Sequence, residues 1–289
     1  MIASVRRNRR NGKIIIRQVT ASQLWIYGVT LVMALTTLYG FLTIETKGAD
    51  LWEASLKTLH YFGSMFGTPR GIASHFGVLD PFPGATFLAS FELVLRTLGL
   101  AFLTTLIGGI LALILGLLAA RNLTSQRTSH VIKTLVALVR AVPTVLWVLI
   151  FTIGAGLGAV AAVIGMSFHT LGYLIKAYSE SFEEVDESVI EALRASGAGW
   201  LHIVSQAVIP ASTTKILSWT FIRFEINFAV AVAMGAAAGA GGIGYNMYIA
   251  AGYFFDIREI GFITYQILAI ALLMEIIANR LKKRYHIHA

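Results

Sequence analysis

Six apolar runs, five near twenty residues and one of about thirty, all sparse in charge, decide what this chain can fold into. About 20 residues of helix, rising roughly 1.5 Å each, cross the hydrocarbon core of a bilayer. Lipid offers no hydrogen bonds, so a segment there pairs its own backbone groups, as an α-helix does. The runs lie at about 24–44, 91–120, 131–152, 159–177, 215–238 and 260–278, and predict an all-α polytopic membrane protein with six transmembrane helices. Composition agrees: 56% of residues are hydrophobic, 13% are charged and the mean hydropathy is +0.73. Soluble domains carry roughly 25% charged residues. With no cysteine, the chain has no disulfide framework and no cysteine-ligated metal site.

The net charge of +8 is concentrated beside the runs. Arg6, Arg7, Arg9, Arg10, Lys13 and Arg17 precede the first, and Arg280, Lys282, Lys283 and Arg284 follow the last. This is the positive-inside pattern, with membrane lipid headgroups rather than nucleic acid as the partner. Six crossings put both termini in the cytoplasm, leaving only Lys47, Lys57 and Arg70 clearly outside. The expected organisation is a basic cytoplasmic segment (1–23), a transmembrane domain (24–280) and a basic cytoplasmic tail (281–289). The first run is too long and too late for a cleaved signal peptide. Within an external segment (45–89), Trp52, Leu56, Leu59, Phe62 and Phe66 recur at three- and four-residue steps, with Glu53, Lys57, His60 and Ser64 between them. That pattern predicts an amphipathic helix at the membrane interface, before Pro69, Pro81 and Pro83 break the chain. The absence of an internal repeat counts against an inverted-repeat secondary transporter.

Between the fourth and fifth runs lies a polar cytoplasmic segment, 178–212, opening with the acidic stretch 180–187. Ser188 to Ala195 are good helix formers with acidic residues near their start, which the helix dipole favours. Gly197 can close that helix in a left-handed cap. A second helix at about 200–208 is expected to stop at Pro210. Two short helices joined at a glycine make a knob on which a soluble partner can dock.

The residues of this knob carry a resemblance. Glu191-Ala192-Leu193, then Gly197, then Ala207-Val208-Ile209-Pro210 resembles the EAA loop of bacterial ATP-binding-cassette importer permeases, with Leu193, Ala207 and Ile209 departing by apolar replacements. The stretch 219–227 (Trp-Thr-Phe-Ile-Arg-Phe-Glu-Ile-Asn), with Gly235 and the 239–244 glycine cluster, is similar to the fifth span of phosphonate-type permeases. Arg140-Ala141-Val142-Pro143 followed by 147–151 (Trp-Val-Leu-Ile-Phe) resembles their third span. The likeness covers roughly residues 90–280, and departs where Ala229 replaces the family's usual arginine. It implies a type I importer permease that forms the pathway for phosphonate or a related phosphorus oxyanion in the bacterial inner membrane. The implied partners are a second permease copy in a homodimer, two cytoplasmic ATP-binding subunits and an extracytoplasmic substrate-binding protein. ATP and Mg belong to the ATPase, and this chain carries no catalytic residue and no cofactor. Glu191, Ala192, Gly197 and Pro210 are the implied ATPase-coupling residues.

Ionisable groups in a membrane cost roughly 3 kcal/mol on insertion scales, so each needs a partner or a watery path. Arg140, Glu225 and Asn227 are the pathway candidates. Arg140 equally suits pairing with Glu225, or with carbonyls freed by Pro143. For Glu225 a structural role is the favoured alternative, and Asn227 suits an interhelical hydrogen bond as well as contact with substrate. Arg223 and Glu225 lie two apart, on different helix faces. Gly239, Gly241, Gly242 and Gly244 are read as a close-packed turn near the outer gate. Gly239, Gly241 and Gly244 also spell a dinucleotide fingerprint, but it lacks the strand and soluble context that motif requires. No pair of the seven histidines has metal-site spacing, and His169 is read as an interhelical hydrogen-bonding residue. The rival readings are a permease for methionine or a quaternary amine, a stand-alone secondary transporter or channel, and a membrane enzyme, for which no cluster of reactive groups is found.

Overall fold

The computed structural model describes residues 5–7, 14–16, 21–43, 50–65 and 83–284, and the chain divides after His60 into two units. Phe66, Pro69, Pro81, Lys47, Arg70 and the basic tail beyond 284 lie outside the described residues.

In the first unit, β1 (Val5–Arg7) pairs antiparallel with β2 (Ile14–Ile16), Arg6 opposite Ile15. The first apolar run forms α1 (Ala21–Thr43), none of whose described side chains is buried. Three of its threonines are satisfied within the helix: the hydroxyls of Thr30, Thr36 and Thr43 donate to the carbonyls of Ile26, Val32 and Tyr39 at 2.8, 2.9 and 2.9 Å. That is the condition for placing threonine in lipid. The expected amphipathic helix is α2 (Leu51–Met65), begun by the Asp50 carboxylate accepting from the Trp52 N–H at 2.8 Å. Its apolar residues Trp52, Leu56 and Leu59 remain exposed, while Glu53 and Lys57 pair at 2.8 Å.

The second unit holds α3 (Pro83–Ala119), α4 (Gln126–Ala141), α5 (Thr144–Ala155), α6 (Ala159–Glu183), α7 (Glu187–Ala195), α8 (Trp200–Ala237), α9 (Gly242–Ile249) and α10 (Ile257–Arg284). The helix at its centre is α6, more than half buried. Apolar side chains gain little by leaving lipid for protein, so membrane helices associate through close packing at small residues. Here Gly108, Ala112 and Gly116 line one side of α3; a Cβ at Gly108 would lie 2.7 Å from the Thr170 methyl, and one at Gly116 3.2 Å from Tyr178 Cβ. Likewise Gly165 lets α6 meet the α5 backbone, where a Cβ would lie 2.5 Å from Val148 Cα.

Among the described residues five helices are long and apolar enough to cross a membrane, and the pair α4–α5 makes a sixth span if it crosses as one. That pair occupies the expected span at 131–152 and is bent there: the two helices meet at 87°. Pro143 supplies no N–H and holds Val142 extended, so the helix ends at Ala141 and restarts at Thr144. Gly156 and Gly158, both at positive φ, make the turn into α6. The fourth span is also longer than expected, running past Ala177 to Glu183, so the connecting segment starts at 184 rather than 178. A second correction concerns Pro210, which does not stop a helix. Trp200–Ile203, a π turn at Val204–Val208 and Ile209–Ala237 form the continuous α8. In the π turn the Ile209 N–H reaches back five residues to the Val204 carbonyl, and this shift of the ladder accommodates the proline that follows.

Candidate coupling segment and transmembrane polar cluster

The segment between α6 and α8 is built by local hydrogen bonding. Asp186 caps α7, its carboxylate accepting from the Ser188 N–H at 2.9 Å. The Ser188 side chain and N–H together hold the Asp186 carboxyl below its ordinary range. At the other end, Gly197 sits at φ +83, its N–H bonding the Arg194 carbonyl at 3.0 Å, while the Ala198 N–H bonds Leu193 at 3.0 Å. This is the paired bonding of a Schellman cap, which places the left-handed residue where glycine costs least.

One face of the segment is anchored. Ile190 is fully buried beside Phe182 and Leu123; Arg194 donates to the Asn122 carbonyl at 2.8 Å, and the Trp200 indole donates to Leu123 at 3.0 Å. Its other face carries Val189, Glu191, Ala192 and Leu201, all exposed, with Gly197 at the exposed turn and Pro210 exposed further along. The four residues predicted for coupling thus lie on an accessible surface, while the motif's Arg194 and the flanking Trp200 do the anchoring.

Within the spans, α3, α6 and α8 share a buried polar cluster. Asn227 accepts from Thr170 at 3.0 Å and donates to Thr105 at 2.9 Å, tying three helices together. Arg223, only 2% exposed, donates to the Thr170 hydroxyl at 3.2 and 3.1 Å and lies 3.0 Å from His169 Nδ1. Its guanidinium lies 5.1 Å from the centre of the Tyr173 ring. One turn away, the Tyr178 and Thr220 hydroxyls meet at 2.6 Å. His169 is therefore an interhelical hydrogen-bonding residue, as expected.

Arg140 ends α4 on an exposed surface, with its stem against α6 where Gly172 leaves room. The expected partners of Arg140 are not taken up within the chain. Glu225 is exposed and forms no ion pair with it among the described residues, and the carbonyl of Val139, freed by Pro143, accepts instead from the Trp147 indole at 3.0 Å. Ala229 is exposed, six residues from buried Arg223 and so turned well away from it.

Gly239, Gly241 and Gly242 all adopt positive φ, and the Ile243 N–H donates to the Thr97 hydroxyl at 3.0 Å. A Cβ on Gly244 would collide with the Val232 carbonyl, and one on Gly235 would lie 2.7 Å from the Gly241 carbonyl. The close-packed glycine turn is thus realised, pinned to α3. Sequence reasoning passed over Thr97, Thr105 and Thr170, whose type carries no signal until their partners are known, and read Trp147 only as part of the third-span likeness. Among the described residues no histidine–carboxylate cluster suits a metal ion.

The described residues thus form a polytopic helical protein with an exposed, capped helical turn and a buried polar cluster between three of its spans. The chain belongs to the family of binding-protein-dependent transport system inner membrane components, whose model matches residues 112–286. The phosphite transport system permease protein PtxC of Stutzerimonas stutzeri is 30% identical over 193 residues, 66% of this chain and 70% of that protein. The phosphate-import permease protein PhnE of Mycolicibacterium smegmatis is 30% identical over 159 residues, 55% of this chain and 30% of that one. Among solved structures, the MetNI methionine ABC transporter in an inward-facing conformation matches with a TM-score of 0.61 at 19% identity, covering 70% of this chain and 99% of its own. That match establishes the shared helical fold.

Proposed function

We propose that this chain is the transmembrane permease subunit of an ATP-driven importer, and that its pathway carries phosphonate, phosphite or phosphate. The observation that carries the reading is the sign of the charge in the spans. Arg223 is buried, and neither it nor Arg140 forms an ion pair with a carboxylate among the described residues. Unmatched positive charge in a low-dielectric setting attracts an anion and repels a quaternary amine. The named substrates of the phosphite and phosphate permeases above agree with that sign.

In this reading two copies enclose the pathway, which Arg140 and Glu225 border and for which Asn227 sets the helix spacing. The turn at Gly239, Gly241, Gly242 and Gly244 forms the outer gate. Two cytoplasmic ATPase subunits, binding ATP and Mg, grip the exposed face of α7 around Glu191, Ala192, Gly197 and Pro210, and an external binding protein delivers the solute. Both termini lie in the cytoplasm, and segments 1–23, 24–280 and 281–289 keep the roles expected of them. Hydrolysis belongs to the ATPase, so this chain is not itself an enzyme.

The test is uptake into proteoliposomes holding the permease with the ATPase and binding protein encoded beside it. Labelled phosphite, methylphosphonate and phosphate are compared with methionine and a quaternary amine. ATP-dependent oxyanion uptake, reduced about tenfold or more in Arg223→Gln, is the expected result. Preferential methionine or amine uptake replaces the substrate assignment, and uptake without any ATPase replaces the importer reading with a secondary transporter.

A further inference from the structure

A second concentration of charge lies outside the polar cluster. At the end of α6 nearest the coupling segment, a cavity of about 350 Å³ opens between α4 and α6. Small-molecule sites begin at roughly this size. Four cations, Arg121, Lys133, Arg140 and Lys176, face only two carboxylates, Glu180 and Glu183. Both carboxylates are engaged: Glu183 takes Lys133 at 2.6 Å and the Arg121 N–H at 2.8 Å, and Glu180 lies 3.6 Å from Lys176. The two guanidiniums therefore remain without a carboxylate partner among the described residues, on the wall of a concave space. Guanidinium forks match the planar and tetrahedral oxygens of carboxylate and phosphate, and basic pockets between membrane helices hold lipid phosphates.

We infer that this α4–α6 cavity is a phosphate-group binding site, taking a single phosphate from a lipid headgroup or from free inorganic anion. The cavity is wired to the coupling segment. Arg121 precedes Asn122 and Leu123, whose carbonyls accept from Arg194 and Trp200, and the Asn122 amide bonds the Phe182 carbonyl at 2.8 Å. An occupant held by Arg121 braces the turn on which the coupling segment rests. The cavity shares Arg140 with the proposed pathway; the inference otherwise goes beyond the transport reading and needs neither the substrate's identity nor the ATPase.

The experiment uses the full chain in nanodiscs. In discs of phosphatidylcholine alone, inorganic phosphate is titrated and binding followed calorimetrically. In discs that include phosphatidylglycerol, the lipid retained after gentle extraction is counted by native mass spectrometry. Arg121→Gln removes a cavity charge that has no part in the proposed pathway, and Ala137→Phe fills the cavity without altering charge. Saturable phosphate binding weakened about tenfold or more in Arg121→Gln, and lost in Ala137→Phe, assigns a free-anion site. Phosphatidylglycerol retention lost in the same variants assigns a lipid site. Absence of both in the wild type, or binding unchanged in both variants, overturns the inference. Because Ala137→Phe leaves every charge in place, a misfolded Arg121→Gln does not leave the question open.

Discussion

At the scale of single residues, the interior is organised by polar side chains that would be ordinary in a soluble protein and are demanding in a membrane. Asn227 uses its carbonyl on Thr170 and its amide on Thr105, so it is satisfied on both sides while fully buried. Asn227→Leu removes both bonds and leaves two threonine hydroxyls to fall back on their own helices. Interhelical hydrogen bonds in membranes contribute roughly 0.6 kcal/mol each on average. The variant is therefore expected to lose about 1 kcal/mol of stability, read as a lower denaturation midpoint in mixed micelles. Asn227 was legible in the sequence as a polar residue in a span that must find something, but the sequence left its partner open. Thr105 and Thr170 lie 122 and 57 residues away, and only helix packing brings them together.

At the scale of elements, the coupling segment follows local rules closely. Its helix starts at an aspartate cap and ends at a left-handed glycine, both set by near neighbours in sequence. The Asp186 carboxyl is held below its ordinary range in the folded chain, so the cap contributes fully above that range and is lost as pH falls through the lowered value. A spin label at exposed Val189 should gain mobility as the pH drops below roughly 4, the ordinary carboxylate range. Asp186→Asn keeps the capping oxygen and should abolish that pH dependence. The π turn before Pro210 is an element of a different kind, because it carries one residue more than a regular helix turn needs. Deleting Gln206 should restore the regular ladder, turn the start of α8 by about 100° and pull Trp200 from the Leu123 carbonyl. Loss of the Trp200 environment in the fluorescence spectrum, with the remaining helicity retained, would register it. Pro210 read as a terminator from the rule that proline ends helices; the extra residue that rescues the helix has no sequence signature of its own. The break at Pro143 is the counter-case, where the same rule holds and bends two helices by 87°.

At the scale of the whole molecule, the transport proposed above turns on the exposed face of the coupling segment. In the proposed importer the exposed face of α7 is what an ATPase would grip, and the face anchored through Arg194, Trp200 and Ile190 would carry the pull to the spans. Replacing Glu191→Ala and Gly197→Asp together should abolish co-purification with the ATPase encoded beside this chain while the detergent-solubilised permease stays monodisperse; equal recovery of the ATPase would remove the coupling role.

The sequence by itself determined the apolar spans, the amphipathic helix at 51–65, the capped coupling helix and the family. These depend on runs of apolar residues, on helical periodicity and on caps a few residues apart, all local in the chain. Only the tertiary structure decided which arginine is buried and how the freed carbonyl at Val139 is satisfied. It also decided that two guanidiniums line a cavity beside the coupling segment. In a membrane, where apolar burial scarcely distinguishes one helix face from another, these outcomes rest on close packing at small residues and on hydrogen bonds between distant positions. Gly108, Ala112 and Gly116 set how near α3 approaches α6 at Thr170 and Tyr178, whose hydrogen-bond partners Asn227 and Thr220 come from a third helix, α8.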